Sequence, residues 1–206
     1  MKSHRVHRKA LAPAATVVAF VYFAGIGHAQ TITTLASFNG ANGESPVAGL
    51  TLSGSTLYGT TVDGGANGYG EVFSVPVTGG TPTILASFNG RNGENPFADL
   101  TLSASTLYGT TYDGGYGTVF SLPVTGGTPT VLASFGDSNG CSPYAGLILS
   151  SDGTTLYGTT LGGGTYNAGT VFSLSIPEPA TLSLLALGSI GVLSRRRRRC
   201  GDASFR

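Results

Sequence analysis

The pentapeptide Leu-Tyr-Gly-Thr-Thr occurs three times, at Leu57–Thr61, Leu107–Thr111 and Leu156–Thr160, with starts 50 and 49 residues apart. Each copy is followed by a glycine-rich stretch and then by Gly-x-Val-Phe, at Gly70–Phe73, Gly117–Phe120 and Gly169–Phe172. A repeat of that length matches a supersecondary unit of about four strands. Repeats of about 31–80, 81–127 and 128–176 therefore divide a single domain of residues 30–176.

Within each repeat four short runs alternate apolar and polar residues. The first is Thr-x-Thr-x-Leu-Ala-Ser-Phe or a close variant, ending at Phe38, Phe88 and Phe135, and a proline follows at Pro46, Pro96 and Pro143. The second carries Leu50/Leu52, Leu100/Leu102 and Leu147/Leu149, a spacing of two that puts both leucines on one sheet face. The third is the pentapeptide, and the fourth aligns Phe73 with Val75, Phe120 with Leu122 and Phe172 with Leu174. Thr, Val, Tyr and Phe fill the runs while Gly, Asn, Asp and Pro separate them, and no stretch has a helical period. An all-β domain is expected, with Asn-Gly and Asp-Gly-Gly turns at Asn39-Gly40, Asn42-Gly43, Asn89-Gly90, Asn92-Gly93, Asn139-Gly140, Asp63–Gly65 and Asp113–Gly115.

The two ends differ from the repeats. Residues 1–29 combine a basic start, an apolar run from Leu11 to Ile26 and the small-x-small ending Gly27-His28-Ala29, which predicts a helical signal peptide cleaved after Ala29. At the other end Pro177-Glu178-Pro179 precedes an apolar segment, 180–193, and five arginines, Arg195–Arg199. Fourteen helical residues reach about 21 Å, short of the ~30 Å hydrocarbon core. With Arg195, Arg196, Arg197, Arg198 and Arg199 held in the cytoplasm, the segment reads as a short stop-transfer helix, leaving 200–206 as a cytoplasmic end.

Charge separates the same regions. Between Gln30 and Ile176 there are eight acids and one base, Arg91, for a net −7, so the domain has no basic footprint for nucleic acid. All three histidines lie in the first thirty residues, and after signal removal neither a His-based triad nor a histidine metal site can be assembled. Cys141 and Cys200 fall on opposite sides of a membrane before processing, so no disulfide is expected. Asp63 and Asp113 are candidates for a paired-carboxylate or calcium site, but an aspartate before Gly-Gly ordinarily serves its own turn. The Asp137–Gly140 loop has too few carboxylates for an EF-hand. Tyr58, Tyr108 and Tyr157 would either stack on sugars or pack between strands, and packing is favoured. No cofactor and no metal site are expected.

Pro177–Pro179, the apolar segment and the arginine block resemble, in that order, the PEP-CTERM sorting signal of Gram-negative bacteria. The resemblance implies Pro177, Glu178 and Pro179 as the recognition element of a membrane protease-transpeptidase, an exosortase. Signal peptidase is the second processing partner, and an inner-membrane-tethered precursor leads to the cell surface, envelope or matrix. The repeats themselves, over Thr31 to Ile176, resemble the GloVer tandem repeat of choice-of-anchor surface proteins. That resemblance implies a β-propeller-like fold of three four-stranded repeats and transfers no activity; a β-trefoil is the alternative architecture. It also implies that the run after the proline is innermost and the Leu-Ala-Ser-Phe run outermost. Thr31–Phe38 is then an orphan outer strand, expected to complete the last sheet beside Gly169–Ile176, either of its own chain or of a partner copy. Three sheets fall below the four to eight usual around a channel, so a homodimer is expected. The function expected is structural or binding, with exopolysaccharide as the partner and no catalysis; the alternative is a secreted glycan hydrolase.

Overall fold

A computed structural model describes residues 31–176; the expected signal peptide with Ala29, Pro177–Pro179, the apolar segment 180–193, Arg195–Arg199 and Cys200 lie outside the described residues. The described chain is all-β, in eleven strands. β1 (Thr51–Ser53), β2 (Thr56–Thr61), β3 (Glu71–Pro76) and β4 (Thr83–Ser87) form one antiparallel sheet in chain order. β5 (Thr101–Ser103), β6 (Thr106–Thr111), β7 (Thr118–Pro123) and β8 (Thr130–Ser134) form the second. β9 (Ile148–Leu149), β10 (Thr155–Thr160) and β11 (Thr170–Ser175) form a third sheet of only three strands. Separate meander sheets are not the single barrel of a trefoil. Among the described residues no helix is long and apolar enough to cross a membrane.

The first two sheets each take their fourth strand from the first run of the following repeat, as the resemblance implied. Two expectations fail, however. Within the single chain residues 31–39 form no strand although they match β4 and β8 in composition, and among the described residues β11 pairs only with β10. The third unit therefore has three strands rather than four.

The pentapeptide glycine has a steric reason. Gly59, Gly109 and Gly158 lie opposite Phe73, Phe120 and Phe172 in the ladders. A Cβ on any of them would come within 2.6–2.7 Å of the phenylalanine Cζ. The tip of the ring lies against the bare backbone, and any side chain there would push it out. In Gly-x-Val-Phe the glycine has a different reason: Gly70, Gly117 and Gly169 have φ of 85°, 93° and 94°, which L side chains rarely adopt.

Period-two alternation gives each sheet two working faces, and the cores lie between sheets. Tyr58, Val72 and Ala86 of the first sheet pack against Leu100, Leu107, Phe120 and Leu122 of the second. The opposite face of the second, with Tyr108, Val119 and Ala133, packs against Leu147, Leu156, Phe172 and Leu174 of the third. Burying each such large side chain contributes about 1.5–3 kcal/mol. The phenylalanine ending one outer run meets the next sheet edge-on: Phe88 on Phe120 at 5.1 Å and Phe135 on Phe172 at 4.9 Å.

Hydrogen bonds cross the same junctions. The Thr51 hydroxyl donates to the Leu100 carbonyl, and that of Thr101 to Leu147 at 2.5 Å. A bulge in the β3–β4 ladder skips Leu85, and the Leu85 carbonyl accepts from Gly127 N of the second sheet at 2.9 Å. These bonds fix the register between neighbouring sheets.

Candidate functional site

The chemistry-bearing residues gather on the loops that join β2 to β3 and that precede the inner strands. There, Glu44 lies opposite Asp63 and Glu94 opposite Asp113, each couple exchanging two backbone hydrogen bonds. Side chains directly opposite are about 4.5–5.5 Å apart at Cβ, so two acidic couples arise from residues nineteen apart in the chain. The third copy has Cys141 opposite Gly162.

Asp63 does not close its own turn as the sequence suggested. Its carboxylate accepts from Asn95 Nδ2 at 3.2 Å, and the same amide nitrogen donates to the Val62 carbonyl at 3.0 Å. Asn95 itself has φ 52°, in the left-handed region that asparagine tolerates, and its amide donates to the Tyr69 carbonyl. Asp63 therefore ties the first sheet to the second. Asp113, in the second copy, is half-buried. The Asp137 carboxylate accepts only a long contact, 3.4 Å, from the Tyr116 hydroxyl. Among the described residues no group of three metal-ligating side chains converges.

The carboxyl of Asp152 is held in its ionised form by its neighbours. The Ser150 hydroxyl, at 2.6 Å, and then the backbone and hydroxyl of Thr154 hold its pKa below the ordinary value of 3.8. It closes an exposed β9–β10 turn and faces no cleft.

Glu71 was not singled out by the sequence, yet it is the one charged residue buried in the described fold, at 2% exposure. Its Oε1 accepts from the Ser87 hydroxyl at 2.8 Å, while Oε2 and the facing Thr61 hydroxyl have no protein partner. The signal was available: the equivalent positions hold Thr118 and Thr170. Those hydroxyls pair with Thr111 at 2.8 Å and Thr160 at 2.9 Å.

The repeated tyrosines grade from core to surface: Tyr58 is buried, Tyr108 half-buried and Tyr157 exposed. Packing is thus the role of the first two. A second aromatic group went unread in the sequence. Phe97 and Tyr144, which follow the repeated proline, stack at 4.9 Å, and Tyr112 meets both edge-on. Tyr144 is more than half exposed. Cys141 is a half-buried free thiol.

Meander sheets stacked in series, with cores made between successive copies of one motif, define a tandem-repeat β protein. A family model described as the Gloeobacter/Verrucomicrobia repeat matches residues 20–195, and the chain belongs to that family. No curated protein matches the sequence. Among solved structures, a chain of the nidogen/laminin complex is similar at 15% identity and TM-score 0.43, over 59% of this chain and 40% of that one. A protein assigned as TolB from Agrobacterium tumefaciens is similar at 15% identity and TM-score 0.41, over 62% and 44%. One assigned as a 6-phosphogluconolactonase from Bacteroides uniformis is similar at 16% and 0.40, over 65% and 40%. The chain thus spans less than half the length of each.

Proposed function

We propose that this is an exported, non-catalytic repeat protein of a Gram-negative envelope or extracellular matrix. Residues 1–29 direct export, with cleavage after Ala29. The 180–193 segment and Arg195–Arg199 tether the precursor in the inner membrane, and Pro177-Glu178-Pro179 presents an extended junction to an exosortase. The observation that carries the reading is the order along the chain: export signal, repeat domain, Pro-Glu-Pro, apolar segment, arginine block. Prolines keep that junction unpaired, so a protease can take hold of its backbone.

Within the domain, the Phe97–Tyr112–Tyr144 group supports a binding role toward exopolysaccharide, because an exposed aromatic face stacks on sugar rings. Intact-mass measurement of surface material from the native host tests the sorting: residues 1–29 and the segment after Pro179 are expected to be missing. Recovery of released protein that still carries Arg195–Arg199 overturns it. Retention on the host's own exopolysaccharide, weakened by Tyr144→Ala, tests the binding.

The Glu44/Asp63 and Glu94/Asp113 couples favour a second reading, a secreted glycan hydrolase with paired carboxylates. Release of reducing ends from the exopolysaccharide, abolished by Glu94→Gln, would establish that reading in place of the first.

A further inference from the structure

The two outer faces of the sheet series differ from the inner ones in what they leave exposed. On the last sheet Val171 is 82% exposed, whereas its equivalents Val72 and Val119 are both at 0%. Tyr157 and Thr159 are exposed there too, where Tyr58, Thr60 and Thr110 are buried. On the first sheet the opposite holds. Leu50 is 56% exposed, against 5% for Leu100 and 7% for Leu147. Beside Leu50 runs an apolar groove of about 340 Å³, walled by Leu35, Phe38, Pro46, Phe73 and Val75. In the first-to-second junction the corresponding wall, Phe88, Leu100, Phe120 and Leu122, is covered by Tyr58 and Val72. What covers such a groove is therefore visible twice within the molecule: the far face of another copy of the repeat.

The start of the domain carries a second half-made contact. Phe38 packs edge-on against Phe73 at 4.8 Å, as Phe88 does on Phe120. The Leu35 carbonyl accepts from Gly80 N at 2.9 Å, as Leu85 accepts from Gly127. Thr34–Phe38 thus already sits where the outer strand of a preceding sheet would sit, without that sheet's β3-like strand beside it. The last sheet has the converse defect, a free edge on β11 where β4 and β8 lie in the others.

We propose that two copies of the chain join head to tail, the last sheet of each seated on the first sheet of the other. Thr34–Phe38 of one copy becomes the fourth strand of its partner's last sheet. The repeat fixes the register: Ser37 opposite the partner's Thr170, Ala36 opposite the partner's Val171, and Thr34 opposite the partner's Phe172. Phe38 N then donates to the partner's Gly169 carbonyl, as Phe88 N does to Gly70 and Phe135 N to Gly117. The partner's Val171 and Tyr157 fill the Leu50 groove. One bond changes character. Thr51 and Thr101 each donate a hydroxyl across their junctions, but the third copy has Ile148, 71% exposed, so the joint between copies is more apolar there. Two copies supply six sheets, within the four to eight that close around an axis. The inference does not depend on the sorting or the glycan reading.

The test is directed crosslinking in the full chain, with Cys141→Ser and Cys200→Ser removing the native thiols. Chains carrying only Ala36→Cys are mixed with chains carrying only Val171→Cys and oxidised. The expected product is a covalent dimer in the mixture and none in either variant alone. The double variant should give a closed dimer held by two bridges, with doubled mass by light scattering. Val171→Asp, on a face that a lone chain leaves in water, should melt cooperatively but remain a monomer. An internal bridge in the double variant would mean that the chain closes on itself. A ladder of larger species would mean an open filament. Absence of the mixed dimer would mean that another segment or another protein covers these faces. Each of these three results overturns the proposal.

Discussion

Replacing Glu71 by threonine should stabilise the protein, although it deletes a hydrogen bond. The native carboxyl leaves two buried oxygens without partners, Glu71 Oε2 and Thr61 Oγ1. An unsatisfied buried polar atom costs about 1–3 kcal/mol. Threonine at position 71 recreates the Thr–Thr pair that Thr111 makes with Thr118 at 2.8 Å, and it removes both orphans. Against this stands the loss of the Ser87–Glu71 hydrogen bond, worth about 0.5–1.5 kcal/mol and softened because Ser87 is only half-buried and regains water. The smaller side chain also leaves a gap beside Gly65, where the Glu71 carboxyl now lies against the bare backbone. Two orphans relieved against one partly exposed bond and a small gap leave a gain of about 1 kcal/mol, or 2–4 °C in a domain of this size. Thermal melts of Glu71→Thr beside the parent protein read that difference directly. A clear loss of stability would refute the reasoning, because it would mean that a water or ion inside the fold satisfies the Glu71 carboxylate.

Gly109→Ala sets a Cβ about 2.7 Å from Phe120 Cζ in a fully buried site and should cost about 1–3 kcal/mol, measured by chemical denaturation. Val119→Ala, fully buried, should cost about 0.5–1.5 kcal/mol or somewhat more. Val171→Ala should cost almost nothing at dilutions where the protein is monomeric, and it should lower stability only as concentration rises. Asp63→Asn removes the charge that receives Asn95 and should cost about 1 kcal/mol or less, as a surface bond does, with no calcium-dependent change in melting temperature. Asp152 has a depressed folded pKa, so its contribution is present above the ordinary carboxylate value of 3.8 and is lost as pH falls through the lower folded value. Melting curves of Asp152→Asn should converge with those of the parent in that acid range.

The strands were legible because alternation and β-branched composition are local properties, and the ladders follow them from β1 to β11. What composition lacks is the identity of a partner. Thr31–Phe38 shares its letters with β4 and β8, but a strand also needs a free edge beside it. The β3 edge is already taken by β4, and the one open edge of this kind, on β11, belongs to the last sheet, with which the first run does not pair. The Gly59–Phe73 contact joins residues fourteen apart and is explained only by cross-strand register. The Glu44/Asp63 couple is the same kind of fact. Asp63 reads in sequence as a turn residue, yet its bond comes from Asn95 in the next repeat. Glu71 was countable as one acid among eight, and only its equivalence to Thr118 and Thr170 marked it as an inward-facing position.

Departures among the copies are as informative as the repeats, because a position that faces a neighbouring sheet is constrained by that neighbour. Thr51 and Thr101 face a following sheet and carry a hydroxyl that bonds to it; Ile148, in the same ladder position, carries none. Asn95 and Ser142 each donate a backbone N–H to the previous sheet's loop, at the Tyr69 and Tyr116 carbonyls, whereas no such loop precedes Ser45 in the described chain. The third copy also replaces Glu44/Asp63 by Cys141/Gly162, which removes both charges from its rim. Ile148 and the Cys141/Gly162 pair lower the polarity of the last sheet while its valine, tyrosine and isoleucine stay outward. An uncovered sheet selected for life in water would be expected to change the other way, toward charge on the open face and edge. The last sheet keeps the apolar surface of an interior one, and that surface is suited to a covering sheet rather than to solvent.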